Sequence, residues 1–391
     1  MGMSWKQMSL LVRRLKFAKL ASKAQQSMSQ LCRLFGLSRK SGYKWKARFE
    51  AEGRRGLRDQ KRHPKRSPHR TSLQWLDRIR RLHRRHWNWG SRKLAARLGR
   101  QYPRQKAPSA RTVGKWLRKL KLNRRSPRRS WRGPQLRRKG LTPAKRNNHV
   151  WTVDFKGWFR TQDGQRVEPL TVRDLFSRYV LSVRLLRQQR WQEVRREFLR
   201  LFGQWGYPEI IRMDNGSPWG STGPAGLSRL SAWWTALGIR AEFIAPGHPE
   251  QNGAHEQMHR VFKAETTHPT SQNLRSQQRR TNRWVNIYNE IRPHEGLGQR
   301  PPAEIYRGKR TAQRRVKFRY PPELAVRRVR SNGQIKWRGR KRFVGEAFIG
   351  YPVGIKIARE RSRVYFMERL IGELFDSDLG GMRPARHPRR I

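Results

Sequence analysis

Apolar residues open the chain at helical spacing. Met8, Leu11, Leu15, Phe17 and Leu20 recur near the 3.6-residue period and predict a helix over 8–20. A second apolar run covers 28–35, Gly36 supplies a turn, and Ser38 is placed to cap a helix over 39–49. Two short helices about a glycine turn, the second carrying Arg39, Lys40, Lys44, Lys46 and Arg48, have the form of a helix-turn-helix. A plain helical hairpin with a solvated basic face has the same pattern. We expect a DNA-contacting unit over 1–56. A Pro- and Arg-rich connector follows at 57–70, and then the small-helix plan repeats. Trp75, Leu76, Ile79 and Leu82 share one stripe, followed by Leu94 and Leu98, then Val113, Trp116, Leu117 and Leu120, with Ser109 as a cap. This predicts a second helical unit of the same kind over 67–122, one unit reading base edges while the other grips phosphates.

From Val150 the period changes to that of strands. β-rich runs at 150–155, 167–172 and 179–185 precede a helix over 191–202 and the pair Ile210 and Ile211, which ends at Asp214. A helix over 227–237, a short strand at 241–245, a helix from about 251 and a helix carrying Trp284, Ile287 and Tyr288 complete a mixed α/β layer expected over 149–305. Beyond 316 only short strands are predicted. Asn332-Gly333 lies between Val329 and Ile335/Trp337 as a hairpin signal, Val353, Ile355 and Ile357 alternate, and 364–366 and 370–375 continue the pattern. A small basic β-barrel over 316–380 is expected.

Charge narrows the class of partner. The chain has 92 Lys+Arg against 26 Asp+Glu, a formal net charge of +66, which calls for a polyanion. A ribosomal or nucleoid-packing protein would satisfy charge alone. The distribution argues for more: residues 1–148 hold 46 basic and 4 acidic residues, whereas 149–265 hold 16 and 12. A basic binder is joined to a segment that keeps its carboxylates. The joint, 123–148, is a basic linker with no acid and little periodicity, expected to order along DNA. Cys32 is the only cysteine, which excludes an internal disulfide and a cysteine-based zinc finger. The start lacks a signal-peptide pattern and no long apolar run exists. The expectation is therefore no membrane, and a cytoplasmic, nucleoid-associated protein.

Three carboxylates stand out by position. Asp154 lies inside the strand Trp-Thr-Val-Asp-Phe, where an Asp is unfavourable by propensity, although alternation also allows it a solvated face. Asp214 ends a strand before Asn-Gly-Ser, which is turn chemistry but also the strand end where open α/β sheets bind ligands. Glu256 follows Pro249 and Gly253 in the first turn of a helix, with Arg260 and Lys263 on its face. That set can be a surface ion pair, or a metal ligand with cations above it to hold phosphates. Carboxylates from separate elements suit Mg²⁺, with Mn²⁺ able to substitute.

These pieces resemble the integrase-core DDE signature of retroviral integrases and bacterial insertion-sequence transposases. The resemblance rests on Asp154 in its strand, Asp214-Asn-Gly, and Pro249 through Asn252-Gly253 to Glu256. Asp174-Leu-Phe-Ser-Arg-Tyr, Arg292-Pro-His-Glu-Gly-Leu and Pro301-Pro302-Ala303 also fit. One departure concerns spacing. The family commonly places about 35 residues between its second Asp and its Glu. That count from Asp214 reaches Glu250, whereas 41 residues precede Glu256. Glu256 matches the motif, with the Gly/Ser-rich stretch 216–228 holding the surplus as a loop. Glu250 is the alternative.

The resemblance implies an RNase H-like catalytic core and a Mg²⁺-dependent DDE transposase with Asp154, Asp214 and Glu256 as metal-holding catalytic residues. Its partners would be double-stranded DNA and further copies of itself in a synaptic complex. A catalytically idle helix-turn-helix regulator and an RNase H-like nuclease are the alternative functions.

Overall fold

The computed structural model describes residues 9–59, 71–122, 140–308, 314, 318–378 and 380–385. Most of the basic linker therefore lies outside the described residues. The chain divides into two units, Met1–Arg70 and Thr71–Ile391.

In the first unit α1 (Leu10–Ser22), α2 (Met28–Phe35) and α3 (Arg39–Glu52) follow in the expected order. Ser27 and Gln30 close a capping box on α2, and Ser38 accepts from the Ser41 amide to cap α3. Gly36 adopts φ 62° between them, the left-handed conformation that ends α2 at little cost for glycine. Phe17, Leu31, Cys32, Phe35, Trp45 and Leu57 form the core. Leu57 lies past the expected boundary at 56, and Arg14 reaches both its carbonyl and the Asp59 carboxylate.

The second unit begins with α4 (Leu73–Arg85), α5 (Ser91–Gln101) and α6 (Ala110–Lys119), capped by Ser72 at α4 and Ser109 at α6. Ile79, Leu82, Leu94, Leu98, Val113 and Leu117 are buried together, with Ile287 and Ile291 of the central domain packed against them.

The central domain runs β1 (Val150–Phe155), β2 (Phe159–Arg160), β3 (Arg166–Asp174), β4 (Val180–Leu186), α7 (Trp191–Trp205), β5 (Ile210–Met213), α8 (Arg229–Ala236), β6 (Arg240–Phe243), α9 (Gly253–Thr266) and α10 (Leu274–Asn286). Across the sheet the order is β4-β3-β1-β5-β6, with β2 prolonging the β1–β3 hairpin. β4, β3 and β1 pair antiparallel, whereas β1, β5 and β6 pair parallel. Trp151, Val153, Leu170 and Val172 pack one face against α7 and α8. Val167, Val180, Val183 and Leu185 pack the other against Met258 and Phe262 of α9 and Trp284 of α10. Helices on both faces bury the alternating positions of the central strands, as a mixed sheet requires.

The C-terminal region corrects the β-barrel expectation. β7 (Leu324–Arg328), β8 (Gln334–Trp337), β9 (Arg340–Phe343), β10 (Pro352–Lys356), β11 (Arg361–Phe366), β12 (Arg369–Phe375) and β13 (Arg383–Pro384) are present. They form an open five-stranded sheet, β13-β12-β11-β10-β7, and a separate β8–β9 ribbon. Among the described residues no closed barrel forms. One cause is visible at Asn332-Gly333: the turn is there, with Arg330 donating to the Gln334 carbonyl, yet the strands it joins pair elsewhere. β7 pairs β10, and β8 pairs β9 through a two-residue turn at Arg338-Gly339, both at positive φ. The sheet instead buries Phe348, Val353, Ile355, Val364 and Phe366 against Ala225, Leu227, Ala232 and Ala236 of the central domain.

Candidate active site

β1 and β5 are neighbours in parallel register, Thr152 opposite Arg212. Asp154 and Asp214 each lie two residues beyond that pair, Asp154 within β1 and Asp214 just past the end of β5. Both strands end there, so the two carboxylates share the carboxyl edge of the sheet. Asp214 lies one residue past β5, and its Oδ1 accepts the Gly216 amide at 2.9 Å. Asn215 donates to the Ile244 carbonyl at 2.8 Å, tying this turn to the end of β6.

Glu256 occupies the first turn of α9 and is exposed. The helix divides cleanly. His255, Met258, His259, Phe262 and Thr266 are buried, while Glu256, Arg260 and Lys263 face solvent. Glu250 falls in the short 3₁₀ turn Pro249–Asn252 that precedes the helix.

The electrostatics link the three acids. Asp154 is pushed up to about 7, first by burial and then by the charge of Asp214, with Glu256 adding a smaller push. Phe155's amide and the Lys156 ammonium oppose the rise. Like charges gathered in this way favour a cation between them. Among the described residues, no three His, Cys, Asp or Glu groups already converge into a closed ligand shell. Mg²⁺ does not require one, since it is held by one or two carboxylates and completes its octahedron with water and substrate phosphates. The donor set therefore fits a hard divalent cation at an open site.

Sequence reasoning passed over the groups behind Asp154. Asn252 Nδ2 lies 3.5 Å and His259 Nδ1 3.8 Å from Asp154 Oδ2, while Thr171 donates to the Asp154 carbonyl at 2.9 Å. Lys156 is two residues beyond Asp154, and its charge adds to burial in depressing His259. The i, i+4 spacing of His255 and His259 about Glu256 was the one available signal.

The flanking motifs turn out to be structural. Asp174 accepts from the Ser177 amide and hydroxyl and from the Asn148 amide, which closes the turn after β3. Arg292 donates to Glu265 of α9 at 2.8 Å; Glu265 also accepts from Trp284 and from Asn88, the latter in the segment between α4 and α5. On α3, Arg39, Lys40 and Lys44 are exposed. Lys46 and Arg48 are half-buried, Lys46 near Glu50 at 3.8 Å and Arg48 over the Trp45 ring at 5.5 Å.

Comparison with known families places these parts. Models described as an integrase core domain match residues 144–249 and 237–302. A helix-turn-helix domain matches 13–65, a homeodomain-like domain 41–117, and the C-terminal domain of an IS481 family transposase 324–374. Part by part, the chain is thus similar to proteins with an integrase core domain and to insertion-sequence transposases.

Curated relatives include the IS476 uncharacterized 39.2 kDa protein of Xanthomonas euvesicatoria, 28% identical over 61% of this chain and 66% of that protein. The IS407 uncharacterized 31.7 kDa protein of Burkholderia multivorans is 29% identical over 46% of this chain and 62% of its own length. The matched region thus spans just under two thirds of each. Among solved structures, the HTLV-2 integrase catalytic core aligns over 42% of this chain and 100% of its own at 18% identity, TM-score 0.34. The simian T-cell lymphotropic virus intasome protein aligns over 75% and 97% at 14% identity, TM-score 0.38. Scores this low carry no further argument.

Proposed function

We propose that this chain is a transposase of the DDE type, a divalent-metal-dependent polynucleotidyl transferase acting on double-stranded DNA, with an RNase H-like core. The observation that supports it most is the placement of Asp154 and Asp214 at the carboxyl ends of the neighbouring parallel strands β1 and β5, with Glu256 in the first turn of α9. These three would hold Mg²⁺ or Mn²⁺, which would supply Lewis acidity to the attacking and leaving oxygens.

The residues around them would do the rest. Arg260 and Lys263, one and two turns beyond Glu256 on its exposed face, would hold phosphates on either side of the scissile bond. Arg39, Lys40 and Lys44 on α3 would neutralise backbone phosphates at the element ends, with Lys46 and Arg48 in support. Water would first break one phosphodiester bond and free a 3′-hydroxyl. That hydroxyl oxygen would then bond to a target phosphorus as the target's own 3′ oxygen leaves. One phosphodiester replaces another, so joining needs no external energy source and no protein nucleophile. Joining two ends requires at least two active sites, so self-association on DNA belongs to the proposal.

Strand cleavage and joining on DNA carrying the element's flanking ends tests this, with Mg²⁺ or Mn²⁺ added. Asp214→Asn and Glu256→Gln are expected to abolish both steps yet leave binding to the ends within about twofold, because phosphate contacts carry the affinity. Glu250→Gln is expected to cut normally; loss confined to that variant would transfer the third role to Glu250. Tight metal-independent binding without any cleavage by the unaltered chain would favour a regulatory DNA-binding protein instead.

A further inference from the structure

The two histidines beside Glu256 take no part in the chemistry proposed above. His255 and His259 are both buried on the inner face of α9, with ring centroids 4.6 Å apart. Their Nε2 atoms converge on a single hydroxyl: Thr171 Oγ1 lies 2.6 Å from His255 and 2.7 Å from His259. Thr171 is the cross-strand partner of Asp154, and its hydroxyl donates to the Asp154 main-chain carbonyl.

A hydroxyl has one proton and two acceptor sites. With the proton given to the Asp154 carbonyl, both imidazoles must donate through Nε2, and the hydroxyl is then filled. His255 is left with a bare Nδ1, which accepts from Thr152 Oγ1 at 2.8 Å, two residues before Asp154. His259 Nδ1 is likewise left bare, 3.8 Å from Asp154 Oδ2 and so beyond hydrogen-bonding distance.

We propose that Thr171, His255 and His259 form a positioning clamp that sets the first turn of α9, and with it Glu256, at a fixed distance from Asp154 on β1. The clamp reaches the divalent cation only through the carboxylates, so it rests on the reading of those carboxylates as metal-holding. Groups of this kind, which orient ligands without touching the metal, are where affinity is tuned.

The test uses the full-length chain with Mn²⁺ as the probe, its binding followed by the loss of the free-ion electron paramagnetic resonance signal. Thr171→Val keeps the shape and removes the shared acceptor; it is expected to weaken Mn²⁺ half-saturation by about 10–100-fold, with Thr171→Ser restoring it to within about threefold. Imidazole ¹⁵N spectra of the unaltered protein are expected to show both rings protonated at Nε2. A Thr171→Val protein that is less heat-stable but binds Mn²⁺ unchanged would reduce Thr171 to an ordinary core residue and overturn the clamp. Asp154→Asn separates the two levels. Unchanged Mn²⁺ binding in that variant would remove the carboxylate reading and the clamp together. Weakened binding there, with Thr171→Val unaffected, would remove the clamp alone. If the valine variant does not fold, the spectra decide, and either ring protonated at Nδ1 overturns the proposal.

Discussion

Asp154 is held on β1 with its carboxyl pushed up to about 7 by burial and by the neighbouring acids. An acid whose pKa is raised on folding binds its proton more tightly in the folded state. Its stabilising contribution is complete below the unfolded value near 4 and is lost as pH rises through about 7. Metal-free protein is therefore expected to lose stability over that window. Asp154→Asn is expected to be more stable than the unaltered chain at pH 8 by about 1–3 kcal/mol. Denaturant titrations of chelator-treated protein at pH 5 and pH 8 check this, and an asparagine variant that loses stability at pH 8 would contradict it. The positions of Asp154, Asp214 and Glu256 were legible in the sequence because each sits in a local pattern: a strand, a strand end, a helix start. Thr171 was not, because a threonine in a β-rich run is an ordinary strand former. His255 and His259 were passed over as well; they are buried beside Met258 and Phe262.

At the scale of elements, caps and periods reproduce the helices of both small units, and the sharpest constraint is a glycine. A Cβ on Gly42 of α3 would stand 2.5 Å from Cys32 Sγ and 3.0 Å from Phe17, so α3 crosses α1 and α2 only because that position is bare. Gly42→Ala is expected to destabilise the first unit by about 1–3 kcal/mol through overpacking, despite alanine's better helix propensity. Thermal unfolding followed by circular dichroism checks it, and Cys32→Ala in the same chain should return part of the loss. The turns were harder to read. Asn332-Gly333 has the composition of a hairpin turn, but Arg338-Gly339 makes the hairpin, with Arg338 at φ 46°. Arginine is an unusual occupant of that conformation, and turn composition cannot report which strand a segment will pair with. The stretch 216–228, expected as a surplus loop, contains a 3₁₀ turn at Pro224–Gly226 whose Pro224 ring lies against Gly345 of the C-terminal region.

At the scale of the second unit, that stretch joins two domains. Ala225, Leu227, Ala232 and Ala236 are buried with the C-terminal sheet, and Arg369 donates to the Ala225 carbonyl at 3.1 Å. Trp219, in the same stretch, stacks on Phe155 next to Asp154 at 5.3 Å. Removing the chain after residue 308 is therefore expected to expose this apolar face and lower the melting temperature of the central domain. Calorimetry on the full and shortened chains measures it; an unchanged transition would show that the sheet is an appendage. On the opposite flank, Glu265 of α9 receives Asn88 and Arg292, so the helix that carries Glu256 is also the seat of the α4–α6 unit. By itself the sequence determined the succession of helices and core strands, the Ser38 and Ser109 caps, and the placing of three acids in a strand, at a strand end and at a helix start, because each depends on residues within a turn or a strand of one another. Only the tertiary structure decided that Thr171 meets His255 across 84 residues, that the C-terminal strands form an open sheet, and that the 216–228 stretch is a docking pad. Those outcomes depend on which buried polar group or apolar face on one element finds its complement on another. Hydrogen-bond satisfaction and apolar burial select that partner in three dimensions, where spacing along the chain carries no information.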